Sequence, residues 1–337
     1  MKRNAFTLVE LMIVIVVIGL LAGMASLAIS GVANTAKISR TRGIVSLIND
    51  VLLTKYESYK TRPLPVAVAN FNAATELKIE VPPREAARIR LLMIRDLMRM
   101  EMPDRKIDVL DDPMSISGSV FQVIVDTNNQ IIRQTTPVKR PVAWFDNPGN
   151  SGKNIPAQLQ SYRDRVPQPV PTPSNPTPTR YDGWTREWES AEALYLIMST
   201  TFVDGMLAIE GIPSSNIGDI DGDGMPEILD AWDTPIGFIR WPVDYVDHID
   251  LPVTDDEMDP FRVDFGFVAS NAPPVATGAT RQFPISLRPL IVSAGSDRVF
   301  DLRFGYEPDE VQTGWDDIRF SRTTWPQNMM GADAAGH

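Results

Sequence analysis

From Leu11 to Ile29 the chain carries no charged side chain. As an α-helix rising ~1.5 Å per residue, that run is about 28 Å long, close to a bilayer's hydrocarbon core of ~30 Å, so it can cross a membrane once. Lys2 and Arg3 precede it, and one carboxylate, Glu10, stands at its front, four residues beyond Phe6. A carboxylate near the bilayer centre costs roughly 2.5 kcal/mol or more, less towards the interface, and is normally relieved by a specific partner. A secretory signal peptide has a shorter apolar core and no carboxylate at its entrance, although Ser26-Leu27-Ala28 has a small-residue pattern. The chain has no Cys, which excludes a lipid-modified N-terminus of the lipoprotein kind. A plain anchor accounts for the apolar run but not for the order of residues before it.

That order is Ala5-Phe6-Thr7-Leu8-Val9-Glu10-Leu11-Met12. It resembles the prepilin-type cleavage and methylation signal of type IV pilins and type II secretion pseudopilins. The resemblance implies that a prepilin peptidase cuts between Ala5 and Phe6 and that the Phe6 amine is then methylated. It also implies that Glu10 pairs with the new amino terminus of a neighbouring subunit during filament assembly. Ala5 stands where the family nearly always has Gly, a small-for-small exchange compatible with processing.

After the span, Ile44, Leu47, Ile48, Val51, Leu52, Tyr56 and Tyr59 recur at three- and four-residue steps and predict one apolar helix face, ended by Pro63 and Pro65. One long helix over 6–62 is expected, in membrane over about 9–30 and packed on a globular head beyond. Gly19 and Gly23 form a small-xxx-small pair that lets helices approach in lipid. A second helix is expected over 84–101, opened by Pro82-Pro83, and a short hairpin over 117–134 around Asp126-Thr-Asn-Asn129. The prolines between 156 and 178 predict an extended loop, and a third helix follows over 184–200. The last third reads as strands at 237–241, 261–268, 290–292 and 299–304. Asp230-Ala-Trp-Asp-Thr-Pro and Ser293-Ala-Gly-Ser-Asp297 resemble two pieces of the major pseudopilin's C-terminal sheet, with Asp233 in place of the usual Gly.

The fold class expected is therefore α+β and pilin-like: the long N-terminal helix packed on a head with a C-terminal antiparallel β-sheet and a large insertion. The divisions are a leader at 1–5, the helix at 6–62, an inserted α/β region at 63–155, a Pro-rich loop at 156–182, a C-terminal β region at 183–325 and a tail at 326–337.

A second constellation is Asp219-Ile-Asp221-Gly-Asp223-Gly224-Met225-Pro-Glu227-Ile-Leu-Asp230. Carboxylates fall at loop positions one, three, five, nine and twelve, with Gly at six, the arrangement by which an EF-hand-like loop surrounds Ca²⁺ with oxygen. Asp219, Asp221, Asp223, the Met225 carbonyl, Glu227 and Asp230 are the expected ligands, with Asp233 or Asp297 as further candidates. Pro226 departs from the pattern, and the loop is single, so no paired EF-hand lobe is expected. Major pseudopilins carry a structural Ca²⁺ in their C-terminal sheet region, so the resemblance implies a cation too.

The net charge is −11, with the acidic residues densest between Asp204 and Asp264, which argues against nucleic acid as a partner. Two His and no Cys leave little room for a zinc site or a Ser-His-Asp triad. The expected function is a structural subunit of a pseudopilus or type IV pilus-like filament serving type II protein secretion, not an enzyme. Its expected partners are copies of itself, other pilin-like subunits, the prepilin peptidase and the inner-membrane assembly platform. The expected topology is single-pass in the inner membrane, N-terminus cytoplasmic and head periplasmic, or extracellular in a surface fibre. The alternatives are a minor pilin whose enlarged head binds or adheres, and a membrane-anchored enzyme.

Overall fold

The computed structural model describes residues 8–68, 76–144, 156–179, 181–241 and 288–298, with single positions at 258, 259, 261, 263 and 300. Helix α1 runs unbroken over Leu8–Tyr59, 52 residues, or about 78 Å. Its two halves differ in what they face. Large side chains from Leu8 to Met24 are exposed, Val16 at 65% and Leu20 at 57% among them. From Thr41 onward one face is covered: Ile44, Val45, Ile48, Val51, Leu52, Tyr56 and Tyr59 are all buried. The face expected from spacing is thus the face that packs, with Val45 added and Leu47 only half-buried against it. Among the described residues no helix is both long and apolar enough to cross a membrane.

Helix α2 covers Pro83–Glu101, with Pro at its first turn where no backbone donor is needed, and α3 is a short Lys106–Leu110. Strands β1 (Val66–Val68), β2 (Glu76–Glu80), β3 (Ser115–Val125), β4 (Ile131–Arg133) and β5 (Val138–Trp144) form an antiparallel sheet in the order β1-β5-β3-β2, with β4 also pairing β3. The expected hairpin is present as β3–β4, and its turn is closed by Asp126, whose Oδ1 accepts the amides of Asn128 and Gln130.

The principal sheet of the described residues lies within 66–144, in the expected α/β region, and the described residues of the C-terminal part form short pairs. These are β6 (Phe202–Val203) with β7 (Met206–Leu207), β8 (Ile217–Gly218) with β9 (Glu227–Ile228), and β10 (Gly237–Ile239) with β11 (Leu290–Val292). The strands expected at 261–268 and 299–304 lie outside the described residues apart from Phe261, Val263 and Phe300. The Pro-rich stretch also begins as a helix: α4 spans Ala157–Arg163. Only Pro156 precedes it, at the helix start where Pro is tolerated, and Leu159 and Tyr162 are fully buried on its inner face. From Pro167 to Thr179 there is no regular element. Helix α5 covers Glu189–Thr200, starting later than expected because Trp184 turns into the core ahead of it.

The described elements share one core. Side chains of α1, α2, α4, α5, β5, β9, β10 and β11 belong to one hydrophobic cluster, so the middle of the chain is continuous with the C-terminal part in packing. Polar ties cross the same boundary. Arg240, just after β10, donates to Asp108 Oδ2 (2.7 Å) and to the Met102 carbonyl (3.0 Å) and lies 3.4 Å from Asp104 Oδ1, all buried. Burial pushes the Asp108 carboxyl up, against the pull of Arg240. Such a buried pair contributes little net stability while intact, yet its disruption is costly. Tyr59 at the end of α1 donates to Glu101 of α2 (3.0 Å), and Arg62 pairs with the same oxygen (2.6 Å).

Candidate functional site

The acidic loop occupies the turn between β8 and β9. The antiparallel register Ile217↔Ile228 and Gly218↔Glu227 pinches its two ends together, leaving 219–226 as the connection. Two glycines make that connection possible: Gly222 and Gly224 hold φ of 79° and 93°, a region L-residues rarely adopt. The aspartates fold the loop around themselves. Asp219 accepts the amides of Gly222 (2.7 Å) and Gly224 (3.1 Å), Asp221 that of Asp223 (3.3 Å), and Asp223 that of Met225 (2.8 Å). Thr185, in the segment between Trp184 and α5, donates its amide to Asp223 Oδ2 (2.6 Å) and its hydroxyl to Asp221.

Carboxylate oxygens converge in two groups that share Asp221: Asp219, Asp221 and Glu227, and Glu192, Asp221 and Asp223, each within 4.8 Å. Of the ligands expected from sequence, Asp219, Asp221, Asp223 and Glu227 are brought together. Asp230 is turned elsewhere. Its Oδ1 accepts the amides of Trp232 (2.8 Å) and Thr234 (3.0 Å), and its Oδ2 accepts from Ser293 Oγ (2.8 Å), so it closes the next turn and joins neither group. The reason is local: β9 begins at Glu227 and carries the chain away from the loop before position twelve is reached. Asp233 and Asp297 join neither group. The Met225 side chain is buried in the core, which leaves its backbone as the only part available to the loop.

Spacing within the loop gave no sign of Glu192, which sits in the first turn of α5 and is fully buried. An acidic residue within the apolar run Ala191-Glu192-Ala193-Leu194 was the available signal. Its Oε2 accepts from the Trp184 indole, and its Oε1 has no hydrogen-bond partner among the described residues. Glu227, equally buried, accepts the Ile220 amide on Oε2 (3.0 Å) and likewise leaves Oε1 unpartnered. Burial, reinforced by Asp223, Asp221 and Glu227, pushes the Glu192 carboxyl up to about 9. Burial, with Asp221 and Asp219, pushes Glu227 to about 7.

Two ionised carboxylates at 4.8 Å repel by roughly 3.5 kcal/mol at an effective dielectric of about 20, so several ionised together are costly unless a cation intervenes. Orphaned buried oxygens facing a convergent carboxylate set fit a hard divalent cation. The number of carboxylates and the bent loop suit Ca²⁺, which takes 6–8 oxygens in flexible geometry, better than octahedral Mg²⁺. Asp219, Asp221, Asp223 and Glu227 would hold such an ion, which would supply positive charge and rigidity to the turn.

The N-terminal residues belong to a different site. Ala5 and Phe6 lie outside the described residues, and Glu10 falls in the first turn of α1. Residues 1–26 match the family model of the prokaryotic N-terminal methylation motif, the signal of type IV pilins and pseudopilins. No curated protein and no solved structure matches the chain.

Proposed function

We propose that the chain is a pilin-like filament subunit, processed before Phe6 and assembled through α1, with its head outside the inner membrane. The observation that carries this reading is the division of one continuous helix. Its first half lies within the methylation motif and exposes large aliphatic side chains from Leu8 to Met24, and its second half forms a wall of the core. A row of exposed apolar residues this long is untenable in water and marks a membrane or protein contact. In the membrane before assembly, and against neighbouring subunits after it, the same surface is covered. Glu10 then pairs with the Phe6 amine of a neighbour, which relieves the cost of its carboxylate in an apolar setting. The methylation motif points to a structural subunit and not to an enzyme.

Within that class we favour a pseudopilus of the type II secretion kind. The two pieces that resemble the major pseudopilin, Asp230–Ile239 and Ile291–Asp297, pair here as β10 and β11. Ca²⁺ bound by the 219–227 loop would stiffen the C-terminal side of the head. The head is larger than a simple major subunit requires, since α2, α3 and the five-stranded sheet are added to the same core. That size favours, as the second reading, a minor subunit that binds a ligand.

The decisive experiment is the intact mass of the protein recovered from membranes with and without a prepilin peptidase. Loss of residues 1–5 with gain of one methyl group is the expected result. An uncut chain would leave a simple anchor, and a cut near Ala28 an ordinary secreted protein.

A further inference from the structure

We infer that Glu192 of helix α5 is a ligand of the loop's cation, so that the ion clamps the loop to a core helix instead of sitting in a self-contained loop. The inference rests on the cation reading of the 219–227 loop and adds a residue that loop spacing does not contain. Three observations converge. A Glu192 carboxylate oxygen lies within 4.8 Å of ligand oxygens of Asp221 and Asp223. Glu192 is fully buried, and its Oε1 has no hydrogen-bond partner among the described residues. No basic side chain pairs with it among the described residues.

The surroundings hold this carboxylate in place. Trp184, itself buried, donates its indole N–H to Oε2 and fixes the side chain, while Oε1 has no partner among the described residues. Thr185, the next residue, donates to both Asp221 and Asp223, so the segment leading into α5 already bridges helix and loop. A buried polar group is normally satisfied, and a buried charge normally paired or bound to metal. Here the charged groups beside it are further carboxylates, a set that a divalent cation satisfies. Ca²⁺ also accepts the long reach of a glutamate from a separate element, because its coordination number and geometry are permissive. The consequence is mechanical: residues 192 and 221–223, separated in sequence by the β6–β7 hairpin, are joined through one ion.

The test uses the full-length protein in detergent, stripped with chelator and titrated with Ca²⁺ by calorimetry, with thermal unfolding recorded in Ca²⁺ and in chelator. Glu192→Gln and Asp221→Asn are each expected to weaken Ca²⁺ binding at least tenfold. In chelator, Glu192→Gln should unfold at or above the wild-type temperature, because the amide keeps the carboxyl's shape and an acceptor for the Trp184 indole. Unchanged affinity in Glu192→Gln alone, with Asp221→Asn impaired, would overturn the role of Glu192 and leave the loop site standing. Absence of binding in the wild type, or unchanged affinity in both variants, would overturn the loop site as well. A Glu192→Gln protein that fails to fold even in chelator would assign the carboxylate to the packing of Trp184 and overturn the inference.

Discussion

Ser293 Oγ donates a 2.8 Å hydrogen bond to Asp230 Oδ2 across 63 residues of chain. The same Asp230 carboxylate caps the following turn through Trp232 and Thr234, and the Ser293 hydroxyl accepts the Gly295 amide at 3.2 Å. Two turns are thereby locked to each other beside the β10–β11 pair, where Gly237 faces Val292. The Ala231 amide, next in the chain, donates to Thr41 Oγ1 of α1 (3.1 Å), tying this junction to the long helix.

Because Asp230 is fully buried and serves three donors, Asp230→Ala is expected to cost about 2–4 kcal/mol, the sum of lost bonds and orphaned groups. The loss should be the same in Ca²⁺ and in chelator, read from urea unfolding midpoints. A loss confined to Ca²⁺ would show that Asp230 serves the cation after all.

Asp233 adopts φ of 63° in the turn that Asp230 caps, a left-handed conformation that glycine holds without strain. Asp233→Gly should therefore stabilise the fold by about 0.5–1 kcal/mol. A destabilised variant would mean that the Asp233 side chain contributes more than its backbone costs.

Asp221→Ala and Asp223→Ala should lower the melting temperature more in Ca²⁺ than in chelator, where only the bonds from Thr185 and the loop amides are lost. A ligand that binds only the folded state at about a hundred times its Kd adds roughly 2.7 kcal/mol, and that increment is what the variants lose. Equal losses in chelator would count against a metal.

Lys55, on the packed half of α1, is lowered to about 8 by burial, with Glu101 pulling it up and Arg62 pushing it down. Its ammonium donates to Gln158 Oε1 at 2.6 Å. Between pH 8 and the ordinary lysine value of 10.5 the unfolded chain binds the proton that the folded chain has lost. Stability should therefore rise with pH across that window, by on the order of 1–3 kcal/mol, and the penalty is present in full below it. Lys55→Met should remove this rise and stabilise the protein at pH 7. Denaturant titrations of both proteins at pH 7, 8.5 and 10 would show it, and parallel profiles would refute it.

Glu10→Val should leave membrane insertion intact and block incorporation into filaments, because it removes the proposed partner of the Phe6 amine. Fractionation of membranes and sheared fibres measures both. Normal assembly of the variant would sink the pairing.

Much of the local structure was legible because its causes are local. The α1 face follows from helical spacing, and α2 from a Pro-Pro start followed by periodic apolar residues. Gly224 was legible as a turn because only glycine adopts its backbone angle cheaply. Where expectation failed, the deciding contact was distant. Proline density suggested that 156–182 would be extended throughout, yet Leu159 and Tyr162 dock on the core and hold α4 helical. Position twelve of the acidic loop looked like a ligand, but Ser293 and the Thr234 turn claim Asp230.

By itself, the order of residues determined the N-terminal motif, the apolar and amphipathic halves of one helix, and the acidic turn, because each depends on neighbours a few positions apart. Only the tertiary structure decided that the central sheet shares a core with the C-terminal strands. It alone decided that Arg240 closes on Asp104 and Asp108, and that Glu192 faces the aspartates. Those outcomes depend on which faces are buried against each other, and burial of a charged group is settled by partners that sequence spacing cannot place.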